Sequence, residues 1–108
     1  MSFVRWSSYL WNTMHFMTLQ YEMAAQEKYA TVESYESIVT IIENLHNLMD
    51  CNKCKKKYIE YLQNNSPRHF EGSLFVWTVQ LHNIVNESLN REPWDIDKAR
   101  KHYLQTFL

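Results

Sequence analysis

The sequence predicts an all-α chain: a four-helix bundle with a short fifth helix packed across it. Three observations carry this. Apolar side chains recur at three- and four-residue spacing along long stretches. Strand-like alternation is absent. The 108 residues include one Gly and two Pro, too few for a fold of many tight turns. Hydrophobic content is 45% and aromatic content 15%, so the chain can bury a core. Its length fits one domain, residues 1–108.

The first helix is expected over residues 8–25, where Leu10, Met14, Met17 and Tyr21 make one stripe and Trp11 and His15 its edge. The second covers residues 32–49, with Thr31 as N-cap and Tyr35, Ile38, Ile42, Leu45 and Met49 facing inward. A break at Asp50 leads to the third, residues 51–63, carrying Tyr58, Tyr61 and Leu62. Asn64-Asn65-Ser66-Pro67 reads as a turn. The fourth spans residues 73–90 with two stripes. One is Leu74, Trp77, Leu81 and Val85; the other is Phe75, Val79, His82 and Asn86. Arg91-Glu92-Pro93 ends it, and Asp95 caps a last helix over residues 95–107. Short connections between four such helices favour antiparallel neighbours.

Net charge is −1, and the one basic run is residues 53–57. Phosphate backbones need clustered Lys and Arg, so no nucleic-acid partner is expected. No stretch approaches the ~20 apolar residues of a membrane helix. Residues 1–17 have neither a clean apolar segment nor a small-residue cleavage site, so no signal peptide is expected.

Cys51 and Cys54 are the only cysteines, spaced Cys-x2-Cys at the start of the third helix. Four readings compete: a free buried pair, half of a zinc site, a structural disulfide and a redox pair. Zinc takes about four ligands. His46, His69, His82 and His102 are the candidates for the rest, and none forms a second pair at a familiar spacing. A disulfide across so short a loop constrains the unfolded chain weakly. The redox reading fits best, because a helix N-terminus and the adjacent lysines both favour thiolate, the attacking species in exchange. A thioredoxin-like βαβ setting is excluded by the lack of a preceding strand. Two cysteines make one disulfide, so any further thiol step needs another chain.

The order Trp6-Ser-Ser-Tyr-Leu-Trp11-Asn-Thr-Met-His15, then Cys51-x2-Cys54, then Trp77-x4-His82-Asn83-x-Val85-Asn86-x2-Leu89 resembles the Erv/ALR family of FAD-dependent sulfhydryl oxidases. The likeness covers the chain from Trp6 to Tyr103. It implies a four-helix bundle with a short fifth helix and FAD held among the helices by side chains, without the Gly-rich turns of a Rossmann site. By this resemblance Trp11 and His15 line the cofactor, and His82, Asn83 and Asn86, with Val85 and Leu89 in the same motif, contact its nucleotide part. Trp77 is the aromatic preceding that motif. Arg91 falls near the cofactor phosphates, and Tyr103 covers the adenine end. Ser7 and Ser8 stand where cellular members often have Gly-Arg, so Arg91, Arg100 or Lys101 is expected to supply the missing cation. Taken singly, Trp11 and Trp77 also fit ordinary core positions, and His82 a satisfied core histidine.

The resemblance further implies a catalytic pair in which Cys51 meets the client thiol and Cys54 is nearer the flavin. Electrons then pass to oxygen, giving hydrogen peroxide. Without the shuttle cysteines of larger members, the chain resembles the minimal, virus-encoded ones. That implies a cytoplasmic setting, in the host cytoplasm or the virion, and a thiol-containing client or small redox-shuttle protein as partner, while the family as a whole implies a homodimer. Two other functions remain open at this point: a non-enzymatic helical module with a structural or zinc-bound cysteine pair, and a flavin-free disulfide carrier. Neither needs the His82-Asn83-x-Val85-Asn86 face.

Overall fold

The computed structural model describes residues 3–107, and side chains from 8 to 106. Five α-helices follow one another, with no strand among the described residues: α1 (Phe3–Gln26), α2 (Val32–Asn44), α3 (Asn52–Asn64), α4 (Leu74–Ser88) and α5 (Ile96–Phe107). Helix α1 packs on α2, α4 and α5, and α3 packs on α4.

Local chemistry sets the helix ends. Thr31 Oγ1 accepts from the Ser34 amide at 3.0 Å and Ser34 Oγ accepts from the Thr31 amide at 3.0 Å, a reciprocal box that starts α2. Ser73 and Asp95 cap α4 and α5, accepting from the Val76 and Lys98 amides at 3.2 and 3.0 Å. Helix α4 ends on Asn90 in the left-handed region (φ 58°), which Asn tolerates better than most residues. The Arg91 amide then reaches back to the Asn86 carbonyl at 2.8 Å and the Asn90 amide to Glu87 at 3.1 Å, a Schellman ending. Gly72, the single glycine, takes φ 129° just before α4, where a side chain would be strained.

Two boundaries differ from expectation. Helix α1 begins ahead of residue 8. Helix α2 stops at Asn44, not at residue 49, and the chain tightens into a 3₁₀ turn (Leu45–Leu48) before Met49 becomes extended. The apolar spacing runs on through that turn, since Leu45 and Met49 remain buried, so periodicity alone cannot mark the change. The Tyr58 hydroxyl, from α3, donates to the Ile42 carbonyl at 2.5 Å beside it.

The two stripes of α4 face two cores. Leu74, Trp77, Leu81 and Val85 pack with Leu10, Trp11, Met14, Ile38, Ile42, Cys54 and Tyr58. Phe75 and Val79 pack with Leu19 and, from α5, Ala99 and Tyr103. Helix α4 is thus buried on both flanks, and truncating a fully enclosed side chain such as Trp77 to Ala would cost ~3–5 kcal/mol.

Candidate functional site

Cys51 and Cys54 form a disulfide, with Cα atoms 5.2 Å apart. Cys51 is the N-cap of α3, and its Sγ accepts from the Cys54 amide at 3.2 Å. Cys51 is half-buried, whereas Cys54 is only 7% exposed and joins the larger core. Of the two, Cys51 is the part-exposed residue and Cys54 the enclosed one. Lys53, Lys55 and Lys56 make no ion pair among the described residues, so their charge adds to that of the helix N-terminus. Once reduced, both influences favour thiolate.

A cleft of about 300 Å³ opens where α1, α4, α5 and the segment after α4 meet. Ser8, Trp11 and Asn12 line it from α1, His82 from α4, Arg91 and Trp94 from the connection, and His102 and Tyr103 from α5. Trp11 and His82 stack with ring centroids 4.1 Å apart and planes within 2°. Trp94 stacks on Tyr103 at 6.0 Å, and the Tyr103 hydroxyl donates to Asn12 Oδ1 at 2.8 Å. Burial pushes the Tyr103 phenol up to about 12, so it stays a neutral donor.

Beneath the cleft His15 is buried, 2% exposed. Its Nε2 lies 2.9 Å from His82 Nδ1, and its Nδ1 lies 2.9 Å from Thr78 Oγ1. Burial, aided by His82, pushes His15 down to about 3. Burial, aided by the Arg91 charge, pushes His82 down to about 4. Both imidazoles are neutral near neutral pH.

The structure thus gathers Ser8, Trp11, His82, Arg91 and Tyr103 from distant parts of the chain around one cleft, with His15 directly behind His82. The Ser7 side chain lies outside the described residues. Asn83 spends its amide on the backbone of Trp94, donating to its carbonyl at 2.9 Å and accepting from its amide at 2.8 Å. Asn86 is buried, and its carbonyl anchors Arg91. Val85 and Leu89 pack in the larger core. Trp77 is away from the cleft, fully buried, with its indole N–H donating to the Asn65 carbonyl at 2.8 Å. Of the cations offered in place of Gly-Arg, Arg91 is at the cleft, while Arg100 pairs with Glu22 and lies over Phe75. Trp11 links the two halves of the site, since it lines the cleft and packs in the same core as Cys54.

The sequence did not place Asn12, Trp94 or His102 at the cleft, and His102 entered only as a candidate zinc ligand. Asn12 sits inside the Trp11-x3-His15 element and Trp94 follows the Pro that ends α4, so adjacency to a motif was the available signal. Among the described residues no three His, Cys, Asp or Glu side chains gather where a metal could be held. The zinc reading therefore finds no ligand set among them. No helix among them is long and apolar enough to cross a membrane.

Stacking faces, one cation and neutral hydrogen-bonding groups are what a planar base and its phosphate require. The residues present fit the nucleotide end of a flavin cofactor. Compared with known proteins, residues 8–104 match the family model described as Erv1 / Alr family. No curated protein and no solved structure gives a significant match.

Proposed function

Since the chain belongs to the Erv1/Alr family, a thiol oxidase family whose members are generally flavin-linked, we propose that it is an FAD-dependent sulfhydryl oxidase. It would introduce disulfides into client proteins, passing the electrons through Cys51 and Cys54 to FAD and on to oxygen, with hydrogen peroxide as product. The observation that carries this reading is the asymmetric disulfide at the start of α3, with Cys51 part-exposed and Cys54 buried in the core to which the cleft residue Trp11 also belongs.

In this reading a client thiolate attacks Cys51 Sγ, forming a mixed disulfide and releasing Cys54 as thiolate. A second client thiolate displaces Cys51, so the client leaves oxidised and both cysteines are reduced. The helix N-terminus and the unpaired lysines hold the released charge. Trp11, Arg91, Trp94 and Tyr103 would hold the cofactor, with Asn83 fixing Trp94 and Asn86 fixing Arg91. Bound FAD supplies the two-electron acceptor that a single cysteine pair lacks. A thiol-bearing client or small shuttle protein as partner, a homodimer, a cytoplasmic setting and likeness to virus-encoded members belong to the same proposal.

The test is the near-ultraviolet and visible spectrum of the purified chain, followed by oxygen uptake with dithiothreitol. Flavin bands that persist through desalting, with turnover lost in Cys54→Ser but flavin retained, are expected. A colourless chain that takes up no added FAD would overturn the proposal in favour of a flavin-free carrier. A fully active Cys54→Ser enzyme would overturn the role of the pair.

A further inference from the structure

Hydroxyl geometry fixes where the protons of the buried histidine pair lie. Thr78 is fully buried, and its Oγ1 stands 2.7 Å from the Phe75 carbonyl oxygen. Two oxygens at that distance need a proton between them, and a carbonyl has none to give. The Thr78 proton is therefore committed to Phe75. Its neighbour Thr18, whose Oγ1 lies 3.4 Å from Thr78 Oγ1, has nearer acceptors of its own in the Met14 and His15 carbonyls at 2.9 and 3.2 Å, so the Thr78 proton keeps its shorter bond to Phe75. Thr78 Oγ1 is left with lone pairs facing His15 Nδ1 at 2.9 Å, so Nδ1 must carry the hydrogen. A neutral imidazole has one N–H, which leaves His15 Nε2 bare and accepting from His82 Nδ1 at 2.9 Å. The same count leaves His82 Nε2 bare. The lowered values of both histidines, about 3 and about 4, keep them neutral and the count valid. His82 has no other hydrogen bond among the described residues, and it lines the cleft.

We propose that Thr78 is a positioning residue: through His15 it locks His82 as the Nδ1–H tautomer, whose bare Nε2 accepts a hydrogen bond from an N–H or O–H donor of the nucleotide bound in the cleft. A base's exocyclic amine and a ribose hydroxyl both have that chemistry. This rests on the flavin-nucleotide reading above for the ligand, but not for the tautomer. Thr78 belongs to neither the stacking set nor the cation of the cleft. Its effect is relayed through two rings from a fully buried hydroxyl.

The relay makes a sharp forecast. Thr78→Val keeps the shape and removes the acceptor. A His15 Nδ1–H would then be buried without a partner, so His15 moves its hydrogen to Nε2, His82 Nδ1 must accept, and His82 Nε2 gains the hydrogen. The cleft acceptor becomes a donor. The test is a ¹H–¹⁵N spectrum of the full chain with ¹⁵N-labelled histidine, read on the protein as purified. In the natural chain His82 is expected to show a protonated Nδ1 and a bare Nε2. Thr78→Val is expected to reverse this pattern, and Thr78→Ser to restore it. After the bound flavin is stripped, a fluorescence titration with FAD is expected to show about tenfold weaker binding for Thr78→Val and near-natural binding for Thr78→Ser.

A protonated Nε2 on His82 in the natural chain would overturn the proposal outright, and that spectrum decides even where Thr78→Val does not fold. An unchanged pattern in folded Thr78→Val would overturn the role of Thr78. A reversed pattern with unchanged FAD affinity would overturn the ligand contact. A chain that took up no FAD would overturn the ligand contact and the oxidase reading together, and the spectrum would still judge the tautomer.

Discussion

Lowering the pH should destabilise this fold through His15 and His82, and the size of the effect can be worked out. Both are held neutral in the folded chain, His15 at about 3 and His82 at about 4, against 6.5 for an unperturbed histidine. The unfolded state therefore binds protons that the folded state refuses. The sign follows: stability is at its full value above about pH 6.5 and is lost as the pH falls toward the folded values. Each unit below the unfolded pKa removes about 1.4 kcal/mol per histidine. Between about pH 7 and pH 5 that is about 2 kcal/mol for each, or about 4 kcal/mol for the pair. This is a large share of the ~5–15 kcal/mol that holds a domain of this size. The assay is urea unfolding of the flavin-free chain at both pH values, followed by tryptophan fluorescence. His82→Asn, which keeps a donor for His15 Nε2 but cannot titrate, is the control. It is expected to be less stable near neutrality and to lose about 2 kcal/mol less over the same interval. Other ionisable groups act in both proteins and drop out of the difference. Equal losses in the natural chain and His82→Asn would refute the claim that a neutral buried His82 underlies the acid sensitivity.

Three further outcomes are expected. Asn83→Ala removes both hydrogen bonds to the Trp94 backbone, so amide exchange at Trp94 should quicken and FAD binding should weaken several-fold, with global stability down by about 1–2 kcal/mol. Unaltered exchange at Trp94 would show that the segment is held by its ring contacts instead. Tyr58→Phe leaves the Ile42 carbonyl without its 2.5 Å donor and should cost about 1–3 kcal/mol in urea unfolding while sparing turnover. Arg91→Ala should weaken FAD binding more at low salt than at high salt; an affinity loss independent of salt would mean that its charge is not what the cleft uses.

What the sequence disclosed and what it concealed divide along a physical line. Helices and core faces were legible because burial at three- and four-residue spacing is a local pattern; even the two stripes of α4 correspond to two separate cores. The end of α2 was not legible, because an apolar stripe passes unbroken from α-helix into a 3₁₀ turn and the Tyr58 hydroxyl comes from another helix. The cysteine pair was legible for the same local reason, as two thiols on the first turn of one helix. The cleft needed more. His15 and His82 stand 67 residues apart and touch only because α1 lies on α4, so a family pattern, not spacing, placed them together. Thr78 had no signal at all. It is a single hydroxyl between Trp77 and Val79, and it reads as a polar gap between apolar stripes. Its partner is 63 residues away on α1. Asn83 shows the converse: the motif marked it, but only the structure shows that its amide holds the backbone of Trp94 and so shapes the cleft from behind. Residues within a motif can be found in the sequence, whereas residues that hold those motif residues in place through partners distant in sequence cannot. A chain can therefore show its family plainly while hiding which side chains tune its site, and the Thr78–His15–His82 relay is where that tuning should be measured.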